Sequence, residues 1–190
     1  MVSIPEKLYT IEELWELVSD EKYQFAELHY GELIVAGGSG AVSSILAGFL
    51  LHKISIFVHE NKLGYVTGAD GHYVFSEDPS VAVIPDVAFV STDRMPRPVP
   101  NKFLHIIPNI AIEVISPSER AKDIRQKIEI YLEYGTDLIW TIYPSLKRID
   151  IHRQTNKSQT ETLGVDDILS GESVLNGFTL SVKDIFSVVE

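Results

Sequence analysis

The sequence contains no cysteine, and basic side chains are scarce among its 190 residues. The missing thiols exclude disulfides, thiolate zinc sites and cysteine nucleophiles. Only 16 Lys and Arg stand against 27 Asp and Glu, so the formal net charge is −11. Because non-specific coating of nucleic acid depends on phosphate neutralisation by Lys and Arg, this balance argues against a protein that coats nucleic acid.

The sequence also shows neither an uninterrupted apolar segment long enough to span a membrane nor a recognisable targeting segment. The most apolar stretch, residues 41–58, is interrupted by His52 and Lys53, whereas a spanning helix needs about 20 predominantly apolar residues. We interpret it as a buried or half-buried helix. The N-terminus has neither an Arg-rich stretch nor an apolar leader, so we expect a cytoplasmic protein without a membrane contact. The length predicts a single domain over residues 1–190.

Three helices are predicted from periodicity and capping signals. The first opens at the capping box of Thr10 and Glu13, and the second covers about residues 41–60. The third runs over 119–134, with Ser118 as its cap and Gly135 as its end. The spacing of the second helix places four side chains on one face: Ile45, Phe49, His52 and Ile56.

Strand patterns separate these helices and predict a mixed α/β chain. Tyr30 and Gly31 form the turn of a hairpin, and the glycines at 37–40 predict another turn. Residues 91–108 predict a surface loop, and 154–157 a polar turn. The remaining strands are expected at about 64–67, 72–75, 81–84, 87–90, 109–115, 138–142 and 148–152, with short strands and a helical turn after 161.

Two apolar strand patterns each carry one carboxylate. Asp86 precedes the strand 87–90, and Glu113 lies within 110–115. A charged, unpaired carboxylate in a dry interior costs several kcal/mol, so two of them on neighbouring strands predict a shared divalent cation. Oxygen ligands without thiols favour Mg²⁺ or Mn²⁺ over zinc. Taken alone, Asp86 is also explained as a cap beside Pro85, and Glu113 as a strand-end carboxylate.

The helix after Glu113 supplies a candidate cation. Lys127 lies at the edge of this helix's apolar stripe, where its amine could reach a cleft beside the sheet. Lys122 and Arg125 remain alternatives for the same role. The six histidines lack ligand spacing and are interpreted as ordinary surface or core residues. Three further residues are given roles in packing or helix termination: Tyr131, Gly135 and Trp140.

These blocks together resemble the Uma-two family of restriction endonuclease-like proteins, within the PD-(D/E)XK nuclease superfamily. The resemblance covers roughly residues 5–155. It rests on residues 85–90, on 112–118 and on Lys127 with its following Tyr, Gly and Trp, and more weakly on the segment from Glu27 to Leu33.

The resemblance implies a fold, an activity and a set of roles. The fold is a mixed central β-sheet flanked by helices, here with additional N- and C-terminal strands. Asp86, Glu113 and the backbone carbonyl of Val114 would bind Mg²⁺ or Mn²⁺. Lys127 would orient the attacking water or stabilise developing charge, and Glu27 would be an auxiliary acid. The expected activity is endonucleolytic hydrolysis of DNA phosphodiester bonds.

Two features depart from the family's pattern. The simplest superfamily motif has a lysine two residues after the glutamate, where this chain has Ile115, so Lys127 must supply the amine. Members often carry a histidine at the start of the second helix, and residues 40–44 contain none. This absence and the acidity favour a second hypothesis, a catalytically weakened nuclease-fold module that binds nucleic acid or a protein. A third hypothesis is an acidic DNA mimic, which predicts no basic groove beside Asp86.

The net charge conceals a positive segment. Between residues 93 and 127, seven basic and four acidic side chains give +3, which leaves −14 for the rest. A locally positive groove attracts phosphate even on an acidic body, so DNA remains the expected substrate, with binding that falls steeply with salt. The candidate nucleic-acid-binding residues are Arg120, Lys122 and Arg125. A homodimer is expected because symmetric dimers are the commonest assemblies.

Overall fold

The computed structural model describes residues 7–35, 40–117 and 119–190. Its helices are α1 (Ile11–Leu17), α2 (Ala41–Glu60), α3 (Ala121–Tyr134) and α4 (Val182–Ser187). Two short 3₁₀ turns cover Glu21–Tyr23 and Pro144–Leu146. The strands are β1 (Ala26–His29), β2 (Glu32–Val35), β3 (Gly64–Gly68), β4 (Tyr73–Glu77), β5 (Ser80–Val83), β6 (Val87–Ser91), β7 (Ile110–Val114), β8 (Leu138–Tyr143), β9 (Arg148–Arg153), β10 (Asn156–Leu163), β11 (Ile168–Ser170) and β12 (Thr179–Ser181).

The strands form a central mixed sheet and two smaller sheets. The central sheet has six strands in the order β10-β9-β8-β7-β6-β3. Its β7 and β8 are parallel, with α3 as the crossover between them, and its other neighbours are antiparallel. A four-stranded antiparallel sheet has the order β2-β1-β5-β4, and β11 pairs with β12. The predicted mixed sheet flanked by helices is confirmed.

Alternation along β6, β7 and β8 sends side chains to two different cores. Ile110 and Ile112 pack with α2 and α4, whereas Ala111 packs with α3 and the four-stranded sheet. Because side chains alternate along a strand, Glu113 points to the same side as Ala111. The sheet therefore directs this carboxylate toward α3, which carries Lys127.

Local signals at the N-terminus behave as predicted. The capping box of Thr10 and Glu13 is present at the start of α1. The hairpin of β1 and β2 turns at Tyr30 and Gly31, whose φ angles are 56° and 86°. Positive φ at both turn residues matches the right-handed twist of the flanking strands. The hairpin fixes the register that places Glu27 on β1.

The face of α2 that carries Ile45, Phe49, His52 and Ile56 is largely exposed. Ile45 and Ile56 are 50% and 43% exposed. The helix instead buries another stripe in the main core: Leu46, Leu50, Ile54 and Val58. Its apolar residues surround the axis, so periodicity does not distinguish its two faces. By length and composition α2 is also the one helix of the described residues that could span a membrane, but core helices meet the same criterion.

Several predicted boundaries shift. Helix α3 begins at Ala121 with Arg120 as its N-cap, rather than at Glu119, and the predicted cap Ser118 lies outside the described residues. Gly135 ends the helix at φ 98°, as predicted. Of the predicted turn at 37–40, residues 37–39 are outside the described part. Residues 92–109 contain no helix or strand, but this loop buries Met95, Phe103 and Leu104.

The polar segment 154–157 is only partly a turn. Residues 154 and 155 turn, and β10 begins at Asn156 and pairs with β9. Nearly all of β10 is exposed. Its polar side chains are those expected of an edge strand that faces water.

Candidate active site

Two neighbouring strands bring Asp86 and Glu113 together. The antiparallel register of β6 and β7 pairs Val87 with Ile112, and continued by one residue it sets Asp86 opposite Glu113. The Oδ2 atom of Asp86 accepts a hydrogen bond from the amide of Val114 at 2.7 Å. The candidate metal ligands therefore lie at one end of the central sheet. Glu113 is only 7% exposed.

Helix α3 places the amine of Lys127 between carboxylates. Its Nζ lies 3.1 Å from each carboxylate oxygen of Glu113. It also lies 2.8 Å from Oε1 of Glu27 and donates to the carbonyl of Ile84 at 2.8 Å. The sequence predicted that Lys127 reaches a cleft beside the sheet, and the amine does meet the end of β7 there.

Glu27 reaches the same cluster from the four-stranded sheet. Its Oε1 accepts the amide of Ile84 at 2.7 Å, and its Oε2 lies 2.9 Å from Nε2 of His29. Both side chains are buried. Residues two apart on a strand point to the same face, so β1 presents His29 and Glu27 together. The histidine, interpreted as ordinary from the sequence, orients the glutamate.

Sequence reasoning assigned Tyr131 to packing and missed its polar role. Its ring is fully buried, and its hydroxyl donates a 2.6 Å hydrogen bond to Oε1 of Glu113. The available signal was helical spacing. Residues four apart lie on one face of a helix, so a residue four after Lys127 addresses the same carboxylate.

Burial and charge shift the pKa values of this cluster in different directions. Burial raises the pKa of Glu113 to about 8, although the charge of Lys127 opposes the shift. Burial likewise raises the pKa of Asp86 against the same opposing charge. Burial would also raise the pKa of Glu27, but Lys127 and His29 together lower it to about 2. Three carboxyl groups share one ammonium, so the cluster holds more acidic groups than the single cation can neutralise.

The ammonium itself is held in its charged form. Burial would lower the pKa of Lys127, but the charges of Glu113 and Glu27 outweigh burial and raise it. An amine with a raised pKa keeps its proton at neutral pH. Lys127 is therefore suited to stabilise negative charge rather than to accept a proton.

The donor chemistry fits a hard divalent cation. Mg²⁺ is usually held by one or two carboxylates, with water and substrate phosphates completing its coordination. Asp86 and Glu113 supply two carboxyl groups whose charged forms a bound cation would favour, and no described residue donates to Oδ1 of Asp86. Within the described ranges, no three His, Asp or Glu side chains form a ready-made metal cluster.

The three candidate nucleic-acid-binding residues do not lie on one face of α3. Arg120, Lys122 and Arg125 are all exposed at the N-terminal end of α3. At roughly 100° per residue, Arg120 lies on the same face as Lys127, about 10 Å away along the axis. Lys122 and Arg125 lie roughly on the opposite face.

A cleft opens onto Asp86 between α2 and the end of β3. Its volume is about 180 Å³, and its wall includes Ser43, Ala47, Gly48 and Gly68. Among the described residues, Asp86 is the one acidic residue that lines it. The cleft gives a solute of modest size access to that carboxylate.

Comparisons with known proteins matched the chain to a family and to a solved structure. The chain matches the model of the Uma2 family, described as "Putative restriction endonuclease", over residues 11–183. No curated protein matches the chain. A solved structure described as "a putative nuclease belonging to DUF820 from Anabaena variabilis ATCC 29413" superposes with a TM-score of 0.82.

The superposition includes nearly the full length of both chains. It covers 95% of this chain and 99% of the other, at 22% sequence identity. At this identity the similarity shows that the two proteins share the fold of a central mixed sheet with flanking helices. The family model spans most of the chain, and on that basis the protein belongs to the Uma2 family, as the motif resemblance predicted.

Proposed function

We propose that this protein is a Mg²⁺- or Mn²⁺-dependent endonuclease that hydrolyses DNA phosphodiester bonds. The observation that carries the proposal is the convergence of Asp86, Glu113 and Lys127 beside an open cleft. Membership of a restriction endonuclease family supports it. A fold alone would not suffice, because activity depends on the site.

Asp86, Glu113 and the carbonyl of Val114 would hold the cation. When bound, a divalent ion supplies Lewis acidity toward the phosphate and lowers the pKa of water. The protein's own side chains fix the arrangement. Lys127 and Tyr131 hold the carboxylate of Glu113 in one orientation, and the amide of Val114 does the same for Asp86.

Lys127 contributes a fixed positive charge at the reaction centre. A preorganised charge in a buried site stabilises developing negative charge without reorganisation during the reaction. Glu27 and His29 position the ammonium from the side of the four-stranded sheet. Arg120, on the same face of α3, would meet a phosphate further along the DNA backbone.

The test combines cleavage with metal binding. Plasmid, linear duplex, single-stranded DNA and RNA are incubated with Mg²⁺ or Mn²⁺, and calorimetry measures binding of the metal alone. We expect cleavage of DNA, with both cleavage and metal binding lost in Asp86→Asn. Asp123→Asn, an exposed change on α3, is the matched control and retains both. Cleavage that survives in Asp86→Asn refutes the assigned site.

A catalytically weakened binding module is the second candidate. Both oxygens of Glu113 already face Lys127, and no three-ligand cluster is preformed among the described residues. This candidate predicts DNA binding that persists in EDTA, without cleavage under any metal condition. The homodimer remains a prediction, which light scattering on the purified protein tests.

A further inference from the structure

Helix α2 lines the cleft with four small residues and with Leu51. Ser43, Ala47 and Gly48 lie there, within the first half of the helix. The other wall includes Gly68, whose position lies against Leu51 of α2. The small side chains leave the space above the carboxylate open.

Ser43 has an unusual environment for a polar side chain. It is only 3% exposed and lines the cleft. Its hydroxyl makes no hydrogen bond to any residue of the described chain. The oxygen is not among the described side-chain atoms that are fully buried without a partner, so the hydroxyl reaches the solvent of the cleft and is free to donate to a ligand there.

Gly48 is the second unusual residue of this wall. Glycine is the least favourable helix-interior residue apart from proline, and Gly48 lies near the middle of a 20-residue helix. A Cβ placed there would meet nothing within 4 Å. Packing within the chain therefore does not require glycine at this position, whereas an occupant of the cleft would.

We infer that this face of α2 seats the sugar–phosphate backbone of the substrate, with the Ser43 hydroxyl donating to a phosphate oxygen. The inference rests on the proposed function and names the part of the substrate that the cleft receives. A volume of about 180 Å³ lies below the roughly 300–1,000 Å³ of pockets that enclose whole small molecules. A phosphodiester therefore enters while the bases stay outside.

A contact to the sugar–phosphate backbone would have a specific role in substrate binding. Phosphate contacts position a nucleic acid and carry no sequence information directly. Ser43 and Gly48 are thus assigned to orientation of the backbone beside Asp86. Their loss should weaken the reaction equally on different sequences.

The experiment uses the full chain with Ser43→Ala, Gly48→Leu and a matched control. Ser55→Ala is the control, because Ser55 lies on the same helix about 18 Å further along its axis. Two readouts are taken on duplexes of several sequences: kcat/KM for cleavage, and affinity for labelled DNA by fluorescence anisotropy. Thermal unfolding establishes that each variant is folded.

Ser43→Ala should lower kcat/KM by about 10- to 100-fold, the range for a hydrogen bond to a charged acceptor. Gly48→Leu should lower both readouts at least as much, with a Tm equal to or above that of the wild type. Ser55→Ala should leave both readouts unchanged. The loss should be the same for every sequence.

Other outcomes separate this inference from the proposed function. If the wild type cleaves DNA and both cleft variants match Ser55→Ala, the inference is overturned and the nuclease proposal stands. If the wild type binds DNA without cleaving it and the variants lose affinity, the nuclease proposal fails, whereas the inferred contact between α2 and the sugar–phosphate backbone stands. If the wild type neither binds nor cleaves DNA, both fail.

Discussion

Removal of the Lys127 amine should destabilise the protein strongly. The Nζ atom lies 2.8 Å from Glu27 and 3.1 Å from Glu113, and its side chain is 18% exposed. Lys127→Met retains most of the apolar stem but leaves two buried carboxylates without their cation. Breaking such a buried pair costs about 3–5 kcal/mol. Since each kcal/mol shifts Tm by about 2–4 °C in a domain of this size, we expect Tm to fall by about 6–20 °C.

Thermal unfolding followed by circular dichroism measures this change in metal-free buffer at pH 7. Lys122→Met is the matched control, because Lys122 is exposed on the same helix. Its effect should stay within about 0.5 kcal/mol, as for most surface substitutions. A Tm of Lys127→Met within about 2 °C of the control would refute the buried ion cluster.

A double substitution isolates the electrostatic part of the loss. Adding Glu27→Gln to Lys127→Met removes one of the stranded negative charges, so the double variant should be more stable than the sum of the single losses predicts. Residues in one ion-pair network show interaction energies of about 0.5–3 kcal/mol. Strictly additive losses would mean that Glu27 and Lys127 do not stabilise each other.

Three further predictions address other contacts. Tyr131→Phe retains the buried ring but removes the 2.6 Å donor to Glu113, so urea unfolding should show a loss of about 1.5–3 kcal/mol; an unchanged midpoint contradicts this. Burial lowers the pKa of His72 from its usual 6.5. The unfolded chain therefore binds more protons than the folded one as pH falls below about 6.5, and the free energy of unfolding decreases there. In His72→Gln the free energy of unfolding should fall less steeply with decreasing pH. An identical pH dependence in the variant would exclude His72 as a cause of the acid destabilisation. Arg120→Ala should reduce the dependence of log K for DNA on log salt by about 0.9, whereas Arg125→Ala, on the far face of α3, should not; equal effects would contradict the assigned directions.

Local chemistry explains which elements could be predicted from the sequence. The capping box at Thr10 and the turn at Tyr30 and Gly31 depend on residues within a few positions of one another. Their structures follow from local hydrogen bonds and φ preferences. Asp86 and Glu113 could be identified because each carboxylate interrupts an apolar strand pattern. Their positions on neighbouring predicted strands indicated that the two side chains meet.

Other features depend on contacts that a sequence pattern does not contain. Helix α2 is apolar around its whole circumference, so its buried face is decided by the sheet it covers. The hydrogen bond of Tyr131 to Glu113 joins residues 18 positions apart, and the Glu27–Lys127 pair joins residues 100 positions apart. The strand and helix patterns identified Glu113 and Lys127, and the family resemblance added Glu27, whereas the contacts among them required the fold.

Stability alone would not select this arrangement. Apolar side chains of similar volume in place of a buried ion cluster are often neutral or stabilising. Helix α2 likewise carries a glycine that its own packing does not require and a largely buried serine that lines the cleft. All of these departures from favourable packing lie at the end of the central sheet that holds Asp86. Departures of this kind are expected at functional sites, so the buried ion cluster and the open cleft beside Asp86 support the assigned site.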